Sequence, residues 1–324
     1  MNFRRYFLVG GAGFIGSHFT DYLLNQPDTE RLTVFDNLSS GREWHFEPHL
    51  KDERFNFVRG DIKDGALLTE SMLEHDVVFH FASNPDISKA MTDPSIDFWE
   101  GTYLTNQVVE AMRSSTPKHI IYTSGSGVYG DLGEENATEN RGPNIPVSTY
   151  GASKLAGETL ISSYCHMFGL TGLVLRFGNV VGPRQTHGVG FDFVRKLLSH
   201  PSKLTVLGDG SQSKSYIHVT DVIQAVQIAN EKRCRLFDAF NVATGDYITV
   251  KEIAALAIES VNLDPNKVFV QFGKENRGWK GDVPVVRLDI GKISSLGWKP
   301  KYNSREALKA SMLSMIADAR DGRI

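Results

Sequence analysis

Cysteine is scarce in this 324-residue chain: only Cys165 and Cys234, far apart and outside any metal-ligand or redox spacing. A disulfide framework and a cysteine-based metal or redox site are thereby excluded, no metal is expected, and both residues read as reduced thiols of a cytosolic protein. No apolar run approaches the length of a membrane span, and Met1 leads directly into a strand-like segment, so neither a spanning helix nor a signal peptide is expected. Charge of either sign is not in excess. The net charge of −3 gives no electrostatic case for nucleic acid or an anionic membrane as partner. What remains is a soluble, cytoplasmic protein, long enough to bury a substantial core in one large or two modest domains.

The stretch Phe7-Leu8-Val9-Gly10-Gly11-Ala12-Gly13-Phe14-Ile15-Gly16 breaks from an apolar run into glycines and resumes as a helix-like segment. It predicts strand, tight turn, helix. Glycines at 10, 13 and 16 remove Cβ atoms where the turn is sharpest, so a ligand can approach the backbone and the helix can pack on its strand. The N–H groups of the helix start, around Phe14 and Ile15, then face an anion, here a dinucleotide pyrophosphate. A second strand, Leu32-Thr-Val-Phe35, ends in Asp36, 20 residues after Gly16, where a carboxylate accepts both hydroxyls of an adenosine ribose. Asp36 repels a 2′-phosphate and so favours NAD over NADP, while Arg42 nearby pulls the other way.

Phe55-Asn-Phe-Val58 predicts a third strand running into Gly60-Asp61-Ile62, which places Asp61 and Ile62 beside the adenine, with a strand cap as the other reading of Asp61. Val77-Val-Phe-His-Phe81 is nearly all apolar, as a strand buried on both faces must be. Phe81 and Ala82-Ser83 close it where the pyrophosphate and nicotinamide ribose pass. Phe98 to Arg113 predicts one long helix, and Ile120-Ile-Tyr122 a fifth strand. Strands alternating with helices in this order imply an α/β fold with a doubly wound parallel sheet.

Ser148-Thr-Tyr150-Gly-Ala-Ser-Lys154 then opens another helix, with Tyr150 and Lys154 four apart and on one face. A free tyrosine, with a pKa near ~10, is a poor base at neutral pH. An ammonium one turn away and a cationic nicotinamide nearby favour the phenolate, which makes Tyr150 a base for a sugar hydroxyl as hydride leaves the adjacent carbon.

These residues together resemble the extended short-chain dehydrogenase/reductases, the nucleotide-sugar epimerases and dehydratases. The resemblance rests on Gly10 to Gly16, Asp36-Asn37, Gly60-Asp61-Ile62, His80-Phe-Ala82, Val128-Tyr-Gly130, the Tyr150/Lys154 pair and Leu175-Arg-Phe-Gly-Asn-Val-Val-Gly-Pro183. Gly208-Asp-Gly210, Tyr216-Ile-His-Val219 with Asp221, and Gly281-Asp282 continue it in order. It implies a Rossmann NAD-binding domain over 1–180 and a smaller mixed α/β substrate lobe over 181–324, with crossings of the chain allowed and the active site in the cleft between them. To that lobe are assigned short strands (Leu204 to Val206, Ala239 to Val242, Val268 to Phe272) and helices (Phe191 to Ser199, Val222 to Asn230, Val250 to Val261). The resemblance also implies that Asn37 joins the cofactor site, that Asn179 reaches the nucleotide-sugar phosphates, and that Lys214 stands where an arginine usually faces the pyrophosphate. Arg277 lies near a second phosphate-contacting arginine, in a register that Trp279-Lys280 disturbs. Thr186-His187-Gly188 lines the sugar pocket, with no chemistry assigned to His187. A homodimer through the helices around 98 to 113 and 150 to 168 is implied as well, while the apolar content of those helices fits an intramolecular core equally.

Two positions depart from the family pattern: Gly125 replaces the Ser or Thr that bonds the reacting sugar oxygen, leaving Ser126 and, second, Ser124 to supply a hydroxyl, and Gly101 replaces an Asn. The resembling 4,6-dehydratases carry Asp then Glu just before Val-Tyr-Gly, because eliminating water takes both a base and an acid. Here that place is Ser126-Gly127. The expected activity is therefore NAD-dependent C4 epimerisation of a UDP-hexose. A one-way 4-dehydrogenase or 4-ketoreductase and a non-catalytic NAD or nucleotide-sugar sensor are the alternatives.

Overall fold

The computed structural model describes residues 3–233 and 235–323, so Cys234 lies outside the described residues. The chain divides into two compact units. The first holds residues up to Val128, Thr149–Arg176 and Ile223–Phe240, and the second holds Tyr129–Ser148, Phe177–Val222 and Asn241 onward. The division is therefore no single cut near 180.

The first unit is built on a seven-stranded sheet: β1 (Arg5–Val9), β2 (Arg31–Asp36), β3 (Phe55–Arg59), β4 (Val77–His80), β5 (His119–Gly125), β6 (Thr171–Phe177) and β7 (Phe237–Val242). Their order is β7-β6-β5-β4-β1-β2-β3. β1 runs parallel to both β2 and β4, and β2–β3 and β4–β5 are parallel too. The order reverses between β1 and β4, the place where such sheets bind ligands at their carboxyl ends. Helices α1 (Phe14–Leu24), α2 (Gly65–Ser71), α3 (Leu104–Arg113) and α4 (Thr149–Phe168) follow strands or precede them. Phe7, Val9, Val78, Ile120 and Val174 from the strands share one apolar core with Leu68, Val108, Met112 and Ile161 from the helices. β7 corrects one expectation: the strand at 239–242 belongs to this sheet, because its partner is chosen by pairing across the chain and not by local pattern.

The expected helix from 98 to 113 is also divided: a π-helical turn, Phe98–Tyr103, precedes α3. Gly101 sits in that turn, where an added Cβ would lie 2.6 Å from Ser153 Oγ of α4. The missing side chain thus lets the widened turn ride directly on the helix that carries Tyr150 and Lys154.

The second unit packs α5 (Val189–Ser199), α7 (Val250–Ser260) and α9 (Ser304–Arg320) through Phe193, Leu197, Ile253, Leu256, Leu308 and Met312. α6 (Val219–Lys232) crosses the boundary between the units, and α8 (Gly291–Ser295) is a short helix of the second. Capping boxes, Thr249 with Glu252 and Asn303 with Glu306, start α7 and α9. Asn241 anchors the 129–148 segment: it accepts from Tyr129 Oη at 2.7 Å and donates to Ala137 O at 2.8 Å and Asp289 O at 3.0 Å. No described helix is long and apolar enough to cross a membrane.

Three histidines of the first unit are buried and held neutral, with desolvation pushing His75 down to about 4 and His80 and His119 to about 3. The unfolded chain binds their protons near pH ~6.5 and the folded one only below these values, so stability falls as pH drops through that window. Each contributes up to about 1.4 kcal/mol per pH unit. Melting temperatures are expected to fall steeply between pH 7 and 5. A flat profile there would show that these imidazoles are not held neutral.

Candidate active site

The turn after β1 shows why its glycines are required. Gly10 has φ +76°, donates its N–H to Phe35 O at 2.9 Å, and leaves no room for a side chain, since a Cβ would lie 2.7 Å from Ala82 N. At Gly16 a Cβ would come within 2.6 Å of Gly10 O. Gly13 begins α1 with no side chain capping it, so the backbone N–H groups there are presented to an anion. Gly16→Ala is expected to drive α1 off the turn and strip the protein of NAD, read as lost cofactor in the purified protein and a lower melting temperature.

Asp36 ends β2 at the same turn, with Oδ2 accepting from Ala12 N at 3.0 Å and Oδ1 from Leu38 N at 2.8 Å. Burial raises its pKa and these two N–H groups oppose the rise. Each oxygen keeps a lone pair for a ribose hydroxyl. Arg42 folds onto its own loop, donating to the Ser40 and Gly41 carbonyls. Asn37 donates to Asp61 at 3.2 Å, and Asp61 also accepts from Lys63 N at 2.9 Å, the cap role, while its side chain stays exposed. The structure turns Ile62 and Phe81 inward: Ile62 joins the core, and Phe81 packs against Phe19 and Phe79. What they offer a ligand is backbone. Ala82 lies against Gly10, its N–H donating to Val9 O at 3.2 Å.

At the start of α4, Tyr150 and Lys154 face the ends of β4 and β5. Lys154 is 3% exposed; its Nζ donates to Thr123 O at 2.8 Å and lies 5.0 Å from the centre of the Tyr122 ring and 5.6 Å from that of Tyr150. Burial lowers its pKa to about 8, against the opposing charges of Glu158 and Asp97. Tyr150 is pushed up to about 12 by desolvation, with Ser83 opposing the rise and the Asp97 charge adding to it. The lowering expected from Lys154 is not found in the protein alone, where Tyr150 rests as a phenol.

Ser124 is spoken for: its Oγ donates to Glu158 Oε1 at 2.5 Å, and Glu158 is paired with Arg176, whose Nη2 lies 2.7 Å from Oε2. Ser126 begins the 3-10 turn Ser126–Tyr129, is partly exposed, and has no side-chain hydrogen bond among the described residues. Sequence reasoning missed Asp97 and Asn84, and placed Ser83 on the cofactor path without linking it to Tyr150: Asp97 accepts from Asn84 Nδ2 at 2.8 Å and Thr149 Oγ1 at 2.6 Å. An Asp before an aromatic-rich turn carries no local signal of this.

In the second unit, Lys214 and Arg277 converge on Asp282, Lys214 on its carboxylate and Arg277 on its backbone carbonyl. Lys214 Nζ lies 2.5 Å from Asp282 Oδ1, Arg277 donates to Asp282 O and pairs with Asp131 at 2.6 Å, and Gly278 N donates to Asp282 Oδ2 at 3.0 Å. Asn179 is exposed, its Nδ2 3.2 Å from Ser215 O, and His187 is exposed beside Thr186. Trp279, in the disturbed register, lies against Gly281.

A doubly wound sheet with a glycine turn, a β2 carboxylate and a Tyr/Lys helix defines an NAD-dependent enzyme of the short-chain dehydrogenase type. The chain belongs to the NAD dependent epimerase/dehydratase family, whose pattern matches residues 6–243. It is 31% identical over 312 residues to the UDP-glucose 4-epimerase of Mycolicibacterium smegmatis, covering 94% of this chain and 96% of that one. A solved UDP-galactose 4-epimerase superposes with a TM-score of 0.85 at 34% identity, over 97% of this chain and 99% of that one. A dTDP-glucose 4,6-dehydratase from Streptomyces venezuelae, solved with NAD bound, does so with a TM-score of 0.89 at 26% identity, over 98% of both. The cofactor is NAD, and the residues fit it: an uncapped helix start for the pyrophosphate and Asp36 for the ribose.

Proposed function

We propose that this protein is a nucleotide-sugar C4 epimerase acting on a UDP-hexose. The observation that carries the reading is the Tyr150/Lys154 pair beside a Ser126–Gly127 turn that holds no carboxylate. The buried carboxylates acting on that pair are both engaged, Glu158 by Arg176 and Ser124, Asp97 by Asn84 and Thr149. A base is available and a second acid is not, which suits epimerisation and not elimination.

Bound NAD supplies a hydride acceptor that returns the hydride, and a positive ring. Lys154 holds the nicotinamide ribose and adds its charge, so that Tyr150, a phenol in the protein alone, ionises in the loaded enzyme. Tyr150 takes the proton of the C4 hydroxyl and gives it back to the other epimer, and Ser126 bonds the reacting oxygen. Lys214, Arg277 and Asn179 bind the nucleotide diphosphate, with His187 beside the sugar. Exposed Phe98, Trp99 and Phe168 support a homodimer through the helices that carry them, and the buried free thiol of Cys165 supports a reducing, cytoplasmic setting.

The test is incubation with a panel of nucleotide sugars and NAD, following the NADH band and the sugar products. Product epimer with no accumulating NADH is the expected result. Stoichiometric NADH with a trapped keto sugar would make it a one-way dehydrogenase. NAD and nucleotide-sugar binding without turnover would make it a sensor.

A further inference from the structure

We propose that Asp97 is a positioning residue for Tyr150, fixing the tyrosine against Ser83 by hydrogen-bonding the chain neighbour of each; this rests on the reading of Tyr150 as the base. Asp97 is 1% exposed. One carboxylate oxygen accepts from Asn84, the residue after Ser83, and the other from Thr149, the residue before Tyr150. Ser83 acts directly on the Tyr150 hydroxyl, opposing the rise that burial imposes on it. The chain neighbours of Ser83 and Tyr150 are thus bridged through Asp97. Asn84 is fixed in turn, since its Nδ2 donates to Asp86 O at 3.0 Å and its Oδ1 accepts from Asp86 N at 3.0 Å. Thr149 is the first residue of α4, so the carboxylate sets the first turn of that helix.

Among the described residues this buried carboxylate is held by an amide and a hydroxyl, an arrangement that packing alone does not require. No cation hydrogen-bonds Asp97 among the described residues, whereas Glu158 has Arg176. The titratable groups around Tyr150 are Lys154 and Glu158 of α4, Tyr122 of β5, His80 of β4 and Asp97 itself, with Arg176 of β6 cancelling Glu158. The Asp97 charge favours the ammonium of Lys154 and opposes the phenolate of Tyr150. It thus adds to burial, the larger cause, in keeping the proton on Tyr150 until the cofactor's positive charge arrives.

Asp97→Asn keeps the size, loses the charge and sets an amide against Asn84. Its kcat is expected to fall roughly tenfold while the KM for the nucleotide sugar and the NAD content stay unchanged. The acid limb of the kcat–pH profile moves to lower pH by about one unit, because the phenolate loses a repelling neighbour. Thr149→Val, which removes one arm, gives a smaller loss of kcat that Thr149→Ser recovers; this pair serves if Asp97→Asn does not fold. An unchanged kcat and acid limb, or a loss that only follows a lowered melting temperature, overturns the proposal. Tyr150→Phe separates the two readings: full turnover in that variant removes the base itself, whereas a dead Tyr150→Phe beside an unaltered Asp97→Asn removes only the role of Asp97.

Discussion

Tyr150→Phe is expected to lower epimerisation by about 10²–10⁴-fold, the range that a positioned general base contributes. The hydroxyl is the part that matters. The ring keeps its place over α4, Lys154 Nζ keeps its 2.8 Å hydrogen bond to Thr123 O, and the glycine turn at Gly10–Gly16 is untouched, so NAD content and melting temperature should stay near wild type. In the protein alone Tyr150 is pushed up to about 12. A base of that kind works only when a positive charge is added beside it, so wild-type turnover should rise with pH along a limb that disappears in the variant. Steady-state rates at several pH values, with cofactor content measured in parallel, check this. A variant with normal turnover would place the proton transfer elsewhere.

The second large effect concerns stability. Arg176 is 7% exposed and Glu158 3%, and they meet through three contacts of 2.7 to 3.2 Å, with the Ser124 hydroxyl completing the carboxylate. Arg176→Met leaves that carboxylate buried without its partner and is expected to cost about 3–5 kcal/mol. Glu158→Leu with Arg176→Met removes both charges, and should recover most of that loss, because a buried pair replaced by apolar groups of similar volume is often near neutral. Denaturant unfolding of the single and double variants measures the difference. Lys154 provides a second readout: it stands four residues before Glu158 on α4, and an unpaired Glu158 favours its ammonium, so its pKa should rise in Arg176→Met.

Much of the NAD end was readable from residue order because its signals are local. Gly10, Gly13 and Gly16 fall within seven positions, and Asp36 closes the next strand. The Tyr150/Lys154 spacing is likewise a property of one helix. The parts that were not readable are contacts between distant residues. Asp97 meets Thr149 across 52 positions, Glu158 meets Ser124 across 34, and Lys214 meets Asp282 across 68. Nothing near any of these residues in sequence marks them as partners. Sequence ranked Ser126 before Ser124 with no contact to rest on, and the Glu158 bond to Ser124 supplies a physical difference between them. Gly101 had no account until Ser153 was seen lying where its side chain would go. β7 was readable as a strand but not as a member of the large sheet, since the pattern of a short strand says nothing of which edge it completes.

The interleaving of the two units bears on how the chain can be cut or rearranged. A break at residue 180 would leave an N-terminal piece lacking β7 and the whole of α6, with the edge of β6 bare, and holding the 129–148 segment without Asn241. Neither fragment would be a self-sufficient folding unit, so swapping C-terminal halves between relatives should give insoluble hybrids. Productive crossovers would have to fall at 128, 148, 176, 222 and 240 together, exchanging three segments at once. Recombination within such a family is then expected to act on whole genes, leaving substrate preference to be changed by point substitution.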